Sequence, residues 1–257
     1  MKLAGKTDVG RVRQDNQDDY RAGELPGDAA WLLVCDGMGG HAAGEVASSI
    51  AVETIAKTAP QSADAARLAA AVEAANAAVI EAALNGLGKP GMGCTATCAY
   101  IENDTLAIAH VGDSRAYLLH EGTLIRVTRD HSYVEELVDA GEITADEARV
   151  HPNRSVITRA LGSDPAMYAD HFTLHIEEGD RLILCSDGLS SMIPDSDIEN
   201  IATQSSTAQI CVDNLVDAAL AAGGHDNVTV VVVDLVDDGV MREAQRVRRR
   251  NITIAAI

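Results

Sequence analysis

Four short apolar segments decide the fold class of this sequence: CTATCAYI (94–101), TLAIAHV (105–111), RAYLLH (115–120) and TLIRVT (123–128). The polar breaks between them are only two or three residues long. Breaks of this length suit hairpins and leave no room for the crossover helix that parallel strands require. The segment therefore predicts an antiparallel meander.

Further elements surround this segment on both sides. Strands are predicted at 18–22 and 30–35, on either side of a Pro-Gly-Asp turn, and near the end at 181–185 and 228–236. Helical patterns occupy 45–58, 63–84, 132–140, 144–150, 196–204 and 207–222. Helices grouped between runs of antiparallel strands predict an α+β layered domain, and no linker divides it.

The composition excludes several classes of protein. The 257 residues include 20 Lys and Arg against 39 Asp and Glu, which gives a formal net charge of −19. Such a surface repels nucleic acid and anionic membranes, so neither is expected as a partner. The longest apolar runs, about six to eight residues, are far shorter than the roughly 20 that cross a bilayer.

Five cysteines are present, at positions 35, 94, 98, 185 and 211. They form no CxxC pair, their number is odd, and no charged-then-apolar leader precedes Asp8. These features predict a cytoplasmic protein without disulfides, and we expect a monomer. For Cys35 and Cys185, a role as small buried apolar side chains is favoured over a redox role.

Aspartates fall at the ends of four strand-like runs. Asp36 and Asp187 follow apolar runs, Asp113 follows a third, and Asp226 precedes the last. A single Asp beside Gly is ordinary turn chemistry, but four at strand ends in a chain with few basic residues suggest a shared cation. Carboxylates without His or Cys at metal-ligand spacing favour Mg²⁺ or Mn²⁺ over zinc. Two such ions could activate a water for phosphoester hydrolysis.

An arginine close to the first hairpin also suggests phosphate chemistry. Arg13 lies five residues before Asp18. A guanidinium group binds phosphate oxygens through two hydrogen bonds, so Arg13 is a candidate substrate clamp beside the metal site.

Six short motifs occur along the chain: RQDNQD (13–18), VCDGMGGHAAGE (34–45), GMGCT (91–95), VGDSR (111–115), SDGL (186–189) and DNVT (226–229). In this order they resemble the motifs of the metal-dependent (PPM, type 2C) Ser/Thr protein phosphatases of bacteria. The resemblance extends from Thr7 to Leu235. It implies a four-layer α-β-β-α sandwich of two antiparallel sheets flanked by helices, with the metal site at one end.

The same resemblance implies roles for individual residues. Asp36 would bridge two metal ions, and the Gly37 carbonyl would bind one of them. Asp187 and Asp226 would bind the other, Asp18 would act through water, and Asp113 would help to hold a third ion. Arg13 would bind the phosphate, with Asn227 as its companion. Ser163 is a candidate substrate contact in a flap that spans residues 131–166.

Two positions depart from the family pattern. Gln17 replaces the usual Glu of the first motif, and Met38 stands where eukaryotic members carry a proposed general-acid His. His41 is the candidate for that role, although a structural role for His41 is an equal alternative. His110 is expected to be structural, and His131 and His225 are left without a role.

The function implied is hydrolysis of phosphoserine and phosphothreonine in proteins by a metal-bridging water, opposing eukaryotic-like Ser/Thr kinases. The partners would be phosphorylated proteins and a cognate kinase. Two alternatives stay open: a scaffold relative that binds phosphoproteins with little turnover, and a phosphatase dedicated to one regulatory partner.

The end of the chain differs in charge from the rest. Residues 241–257 carry five arginines and one glutamate, a net of +4, which leaves −23 for residues 1–240. We therefore expect a phosphatase domain at 1–238 and a basic tail at 239–257. The tail could be a solvated arm, a docking segment, or the flank of a longer sequence.

Overall fold

The computed structural model describes residues 1–40, 43–59 and 62–236. The strands in these residues are β1 (Lys2–Asp8), β2 (Asp18–Leu25), β3 (Ala29–Met38), β4 (Gly93–Cys94), β5 (Ala96–Glu102), β6 (Thr105–Val111), β7 (Arg115–His120), β8 (Thr123–Arg126), β9 (Asp170–His175), β10 (Arg181–Cys185) and β11 (Val228–Asp234). The helices are α1 (Ala43–Thr58), α2 (Ala65–Leu84), α3 (Tyr133–Asp139), α4 (Ala145–Val150), α5 (Asp187–Ser190), α6 (Asp195–Gln204) and α7 (Ala208–Ala221).

The strands form two sheets. One has the order β1-β11-β10-β7-β8, and the other has the order β2-β3-β5-β6-β9, with β4 paired to β3. Every pair is antiparallel. The predicted α+β class with antiparallel sheets is therefore confirmed.

Three separate apolar clusters define four layers. Alternate residues of β3 show the arrangement: Leu33 and Cys35 pack towards α1 and α2, whereas Leu32 and Val34 face the other sheet. On the far side, α5, α6 and α7 cover the outer face of the sheet that contains β11. Because both faces of the central strands are buried, these strands are continuously apolar instead of alternating.

The predicted meander is wrong at its centre. β5 pairs with β6 in one sheet, and β7 pairs with β8 in the other. The chain crosses between the sheets at residues 112–114. A three-residue break fits a hairpin and a sheet-to-sheet crossing equally well, so its length cannot distinguish them. This crossing places Asp113 between the two sheets.

Several helices begin one residue later than predicted, because the predicted first residue is the cap. The side chains of Ser132, Thr144 and Thr207 each accept a hydrogen bond from a backbone amide three residues further on. A cap side chain satisfies an amide that has no partner within the helix. Thr144 and Glu147 form a reciprocal capping box.

Three elements were not predicted: β1, β9 and the short helix α5. β1 and β9 lie at sheet edges, and their sequences mix polar with apolar residues because they are only partly buried. No helix in the described ranges has both the length and the apolar character needed to cross a membrane. The basic tail predicted at 239–257 lies outside the described residues, so its boundary stays a prediction.

Candidate active site

A cavity of about 330 Å³ lies at one end of the two sheets. It contains six of the predicted site residues: Arg13, Asp36, Gly37, Asp113, Asp187 and Asp226. Gln14, Asp15, Gln17 and Met38 also line it. The fold therefore gathers residues that are up to 213 positions apart in sequence, the separation of Arg13 and Asp226.

Strand ends and sheet register bring the carboxylates together. Asp18 and Asp36 are direct partners across β2 and β3. Asp187 is the first residue of α5, two residues after the end of β10, and Asp226 lies two residues before the start of β11. Because β10 pairs with β11, the ends that carry Asp187 and Asp226 lie at the same edge.

Asp36 and Gly37 are held by close backbone packing. The Asp36 amide donates to the Thr95 hydroxyl at 2.9 Å, and the Thr95 amide donates to the Asp36 carbonyl at 2.9 Å. A Cβ on Gly37 would lie 2.2 Å from the Gly44 carbonyl oxygen, so only glycine fits there. The GMGCT motif was noted in the sequence, but this positioning role for Thr95 was not.

Asp18 lies beneath the cavity, not on its surface. Its Oδ2 accepts hydrogen bonds from the hydroxyls of Ser186 and Thr229, both at 2.7 Å. The single Thr229 hydroxyl proton goes to Asp18, so the Thr7 hydroxyl, 2.8 Å away, must donate to Thr229. Thr7 in turn accepts from the Asn16 amide at 2.8 Å. All these hydrogen bonds point towards Asp18 and support a negative charge on it.

The carboxylates strongly repel one another. Burial, and then the neighbouring carboxylates, raise the pKa of Asp18 to about 7. Burial and the surrounding aspartates also raise the pKa of Asp36 and of Asp113 well above the usual range. The pKa of Asp187 is raised by burial and by Asp226, and a hydrogen bond with Asp36 partly opposes this. The cluster therefore needs protons or cations to neutralise it.

The residues present fit divalent cations. Two buried carboxylate oxygens, Asp18 Oδ1 and Asp113 Oδ1, have no hydrogen-bond partner. The donor atoms are all oxygens, which hard ions such as Mg²⁺ and Mn²⁺ prefer. Within the described residues, no three His, Cys, Asp or Glu side chains form a ready-made ligand set. The argument for divalent cations therefore rests on the negative charge of the aspartate cluster and on these two carboxylate oxygens without partners.

Arg13 is the cation at the rim of the cavity. Its Nη2 donates to Asp226 Oδ2 at 2.7 Å, and this hydrogen bond raises the Arg13 pKa. About half of the Arg13 side chain, 53%, is exposed. The guanidinium therefore has donors available for a ligand while Asp226 orients it.

The Asn227 side chain does not face the cavity. Its amide group donates to the carbonyls of Val9 and Asp15 at 2.9 and 3.0 Å, and its oxygen accepts from the Gln17 amide at 2.8 Å. No amide hydrogen is left for a phosphate, so in this structure Asn227 does not make the predicted substrate contact. It holds the loop that carries Arg13.

The flap also differs from the prediction. Ser155 and Ile157 line the cavity, and Ser163 does not. The Ser163 hydroxyl donates to the Ala160 carbonyl at 2.7 Å, within the turn that packs against β4. Two residues earlier in the flap therefore line the cavity in place of Ser163. His41 lies outside the described residues, and its role stays a prediction.

His131 supports the crossing segment that carries Asp113, and the ring of His110 lies beside it, with the ring centroids 5.0 Å apart. Burial lowers the pKa of His110 to about 4, so this ring is neutral, as a structural role requires. His131 is 3% exposed, and its Nδ1 accepts from the Gly112 amide at 3.0 Å. The His131 Nε2 donates to Asp170 at 3.1 Å. Sequence reasoning gave His131 no role, because its partners come from distant segments.

The five cysteines are free and buried. Cys35 belongs to the core beneath α1 and α2, and Cys185 to the core beneath α7. Burial raises the pKa of Cys185 to about 12, which keeps its thiol protonated. Both side chains lie in apolar packing, next to the candidate ligands Asp36 and Asp187 in the sequence.

The fold and the site together define a class: an α-β-β-α protein with a cluster of buried aspartates and a half-exposed arginine at one end. The family model described as "Protein phosphatase 2C" matches residues 14–228. The chain belongs to the protein phosphatase 2C family.

Individual relatives support this assignment. The chain is 42% identical over 243 residues to "Serine/threonine protein phosphatase PstP" of Mycobacterium tuberculosis, covering 92% of this chain and 45% of that protein. It is 36% identical over 241 residues to "Serine/threonine phosphatase stp" of Listeria monocytogenes, covering 91% and 96% respectively. The chain thus spans about half the length of PstP and nearly all of the Listeria protein.

Solved structures agree with the fold. The crystal structure of the M. tuberculosis phosphatase PstP/Ppp superposes with a TM-score of 0.84 at 40% identity, covering 92% of this chain and 99% of that one. A structure of the PstP catalytic domain in complex with two manganese ions gives a TM-score of 0.82 at 39% identity, covering 92% and 98%.

Proposed function

We propose that this chain hydrolyses phosphoserine and phosphothreonine in proteins with the help of Mn²⁺ or Mg²⁺, two core ions and a third, weaker one. The observation that carries the proposal is the cavity in which Arg13 meets a group of mutually repelling aspartates. A cluster of carboxylates alone would repel a phosphate, so substrate binding requires cations between the two. The PstP catalytic domain, a relative, was crystallised with two manganese ions.

The residues that would hold the ions are Asp36, the Gly37 carbonyl, Asp187 and Asp226, with Asp18 beneath them and Asp113 beside them. When bound, such ions act as Lewis acids and activate water for attack on phosphorus. Thr95 and the hydroxyls around Asp18 fix the carboxylates in place, so that little reorganisation accompanies binding.

Arg13 would bind the phosphate oxygens. Its guanidinium is oriented by Asp226 and has free donors, and these would stabilise the charge that develops on the oxygens during transfer. Asn227 supports this role indirectly, since it fixes the backbone on both sides of Arg13.

The proton donor for the leaving alkoxide is proposed to be His41. No histidine is among the described residues that line the 330 Å³ cavity. Comparing His41→Gln with the unmodified protein tests this role. The substitution should slow hydrolysis of a phosphothreonine peptide, whose leaving group needs a proton, far more than hydrolysis of p-nitrophenyl phosphate. Equal slowing of both substrates would exclude the role.

The partners are proposed to be phosphorylated proteins and a Ser/Thr kinase whose action this chain reverses, in a cytoplasmic setting and as a monomer. The five free thiols are compatible with a reducing compartment. Phosphoproteomics of a strain without the protein, compared with an Asp36→Asn strain, would identify the substrates.

Metal-dependent turnover tests the proposal directly. The protein is stripped with EDTA, and hydrolysis of a phosphothreonine peptide is measured with and without Mn²⁺ or Mg²⁺. Asp187→Asn and Asp226→Asn should lower kcat by at least about a hundredfold. The matched control is Asp213→Asn, because Asp213 lies on α7 and bonds to Lys6, away from the cavity.

Three results would contradict the proposal: turnover without metal, normal turnover by Asp187→Asn, or an equal loss in the Asp213 control. Calorimetric Mn²⁺ and phosphopeptide binding without turnover would support the scaffold alternative instead.

A further inference from the structure

A second cavity, of about 540 Å³, adjoins the one that contains Arg13. The two cavities share Asp113, Ser155, Asp187 and Asp226 as lining residues. The second one is enclosed by the flap, with α3 and α4, on one side and by residues 190–196 on the other. A residue that flanks a phosphoserine or phosphothreonine in the first cavity can therefore reach the second.

Two of the arginines in this second cavity are already occupied. Arg115 binds both oxygens of Asp130, with distances of 2.8 to 3.1 Å, and also reaches Asp195 at 3.5 Å. Arg126 is paired with Glu135 through two hydrogen bonds. These pairs are internal to the protein and leave little positive charge for a ligand.

The other two arginines, Arg149 and Arg154, are not occupied in this way. Neither side chain takes part in an ion pair or hydrogen bond with any other described residue. The Arg149 Nε is inaccessible to solvent and has no hydrogen-bond partner. A buried N–H without an acceptor is costly, and no internal hydrogen bond to a described residue opposes a turn of the Arg149 side chain towards a carboxylate in the cavity.

We propose that this second cavity receives an Asp or Glu side chain of the substrate, close in sequence to the phosphorylated residue, and that Arg149 and Arg154 are its specificity-determining residues. The inference rests on the proposed phosphatase function and adds a substrate class to it: phosphoproteins with an acidic residue beside the phosphorylated one.

Within the second cavity, the part beside Arg149 and Arg154 is the one that favours a carboxylate. The lining also contains seven acidic residues: Asp130, Glu135 and Asp195, which pair with Arg115 and Arg126, the three candidate metal ligands Asp113, Asp187 and Asp226, and Asp146. Val134, Val138 and Met192 form an apolar part of the wall, which strengthens a charge interaction by excluding water. A guanidinium pairs with a carboxylate through two hydrogen bonds. The net charge of −19 opposes long-range attraction of an acidic substrate, so the selectivity must come from contact within the cavity.

The test uses sets of phosphothreonine peptides that differ at one position, with Glu, Gln or Lys placed in turn within three residues on either side of the phosphothreonine. With Mn²⁺ bound, the protein should hydrolyse the best Glu peptide about five- to tenfold faster in kcat/KM than its Gln counterpart, and the Lys peptide should be slowest. This ratio should fall as salt concentration rises.

Variants assign the preference to the arginines. Arg149→Gln or Arg154→Gln should reduce the Glu-to-Gln ratio towards one, and Arg149→Glu should favour the Lys peptide. Hydrolysis of p-nitrophenyl phosphate, which has no flanking residues, should be unchanged. Arg67→Gln is the matched control, since Arg67 lies on α2 with 76% of its side chain exposed.

The outcomes separate this inference from the proposed function. Equal hydrolysis of the Glu, Gln and Lys peptides at every position would overturn the inference and leave the phosphatase proposal intact. A preference that survives in both arginine variants would also overturn it. Absence of metal-dependent hydrolysis of every peptide and of p-nitrophenyl phosphate would contradict the phosphatase proposal itself. If the Arg149 variants do not fold, the salt dependence and the Arg154 variant decide.

Discussion

The imidazole Nδ1 of His131 accepts a hydrogen bond from the backbone amide of Gly112 at 3.0 Å. This contact fixes the short crossing between the two sheets, and the next residue is the candidate metal ligand Asp113. The Nε2 of the same ring donates to Asp170, so that Asp170 keeps Nδ1 unprotonated and able to accept. A residue of the flap thereby holds the segment that carries the candidate metal ligand Asp113.

Replacing His131 should therefore destabilise the fold. His131→Phe keeps a ring of similar volume but leaves the buried Gly112 amide without an acceptor, which costs about 1 to 3 kcal/mol. Urea denaturation measures the loss. His175→Phe is the matched control, because the His175 side chain is 67% exposed. An equal loss in both variants would argue against the role given to the Gly112 hydrogen bond.

The metal-free protein should lose stability as pH rises from about 4 to about 7. Folding raises the pKa of Asp18 to about 7, above the usual value of about 3.9. In this window the folded state binds more protons than the unfolded state, so the free energy of unfolding falls with increasing pH. The expected decrease is of the order of 2 to 4 kcal/mol.

Urea denaturation in EDTA at pH 5 and pH 7.5 measures this effect. Asp18→Asn should reduce the pH dependence, since its amide oxygen can still accept from Ser186 and Thr229 without carrying a charge. Part of the dependence should remain, because the pKa values of Asp36 and Asp113 are raised as well. Mn²⁺ added at pH 7.5 should restore stability and release protons. A free energy of unfolding that stays constant or rises over this range would contradict the prediction. So would a decrease of the same size in the unmodified protein and in Asp18→Asn.

Asn227 should act through Arg13. Asn227→Ala removes the three hydrogen bonds that hold the Arg13 loop, and we expect kcat/KM for a phosphothreonine peptide to fall about ten- to a hundredfold. A double-mutant cycle with Arg13→Gln measures the coupling. If the interpretation is correct, the double variant resembles Arg13→Gln alone, whereas additive losses would indicate independent roles.

A methyl group at Gly188 should disrupt the site. A Cβ there would lie 1.8 Å from the Asn227 carbonyl oxygen, a contact with backbone that cannot move freely. Gly188→Ala should lower the free energy of unfolding by more than about 2 kcal/mol and weaken Mn²⁺ binding, as measured by denaturation and calorimetry.

Gly23→Ala is the matched control for this substitution. The nearest atom to a Cβ at Gly23 is Trp31 Nε1 at 3.5 Å, an ordinary contact. Similar stabilities for the two alanine variants would show that the close approach at Gly188 is relieved at little cost.

The order of motifs along the chain was sufficient to identify the α+β class, the family and most of the cavity. Asp36, Asp113, Asp187 and Asp226 were predictable because each adjoins an apolar strand, and strand ends are local features of sequence. Apart from α5, the helices were also predictable to within two residues, since their caps and apolar faces are local.

The tertiary structure alone decided how these residues are held. The sheet change at Asp113, the hydroxyl chain to Asp18, the inward-turned Asn227 and the His131 support each depend on which distant segments pack together. The packing of distant segments also decided that Ser155 and Ile157, and not the predicted Ser163, line the cavity. Hydrogen bonds between segments that are far apart in sequence leave no periodic pattern, whereas strand ends and helix caps do. For this protein, the sequence determined which chemical groups are present, and the packing of the two sheets determined which of them meet.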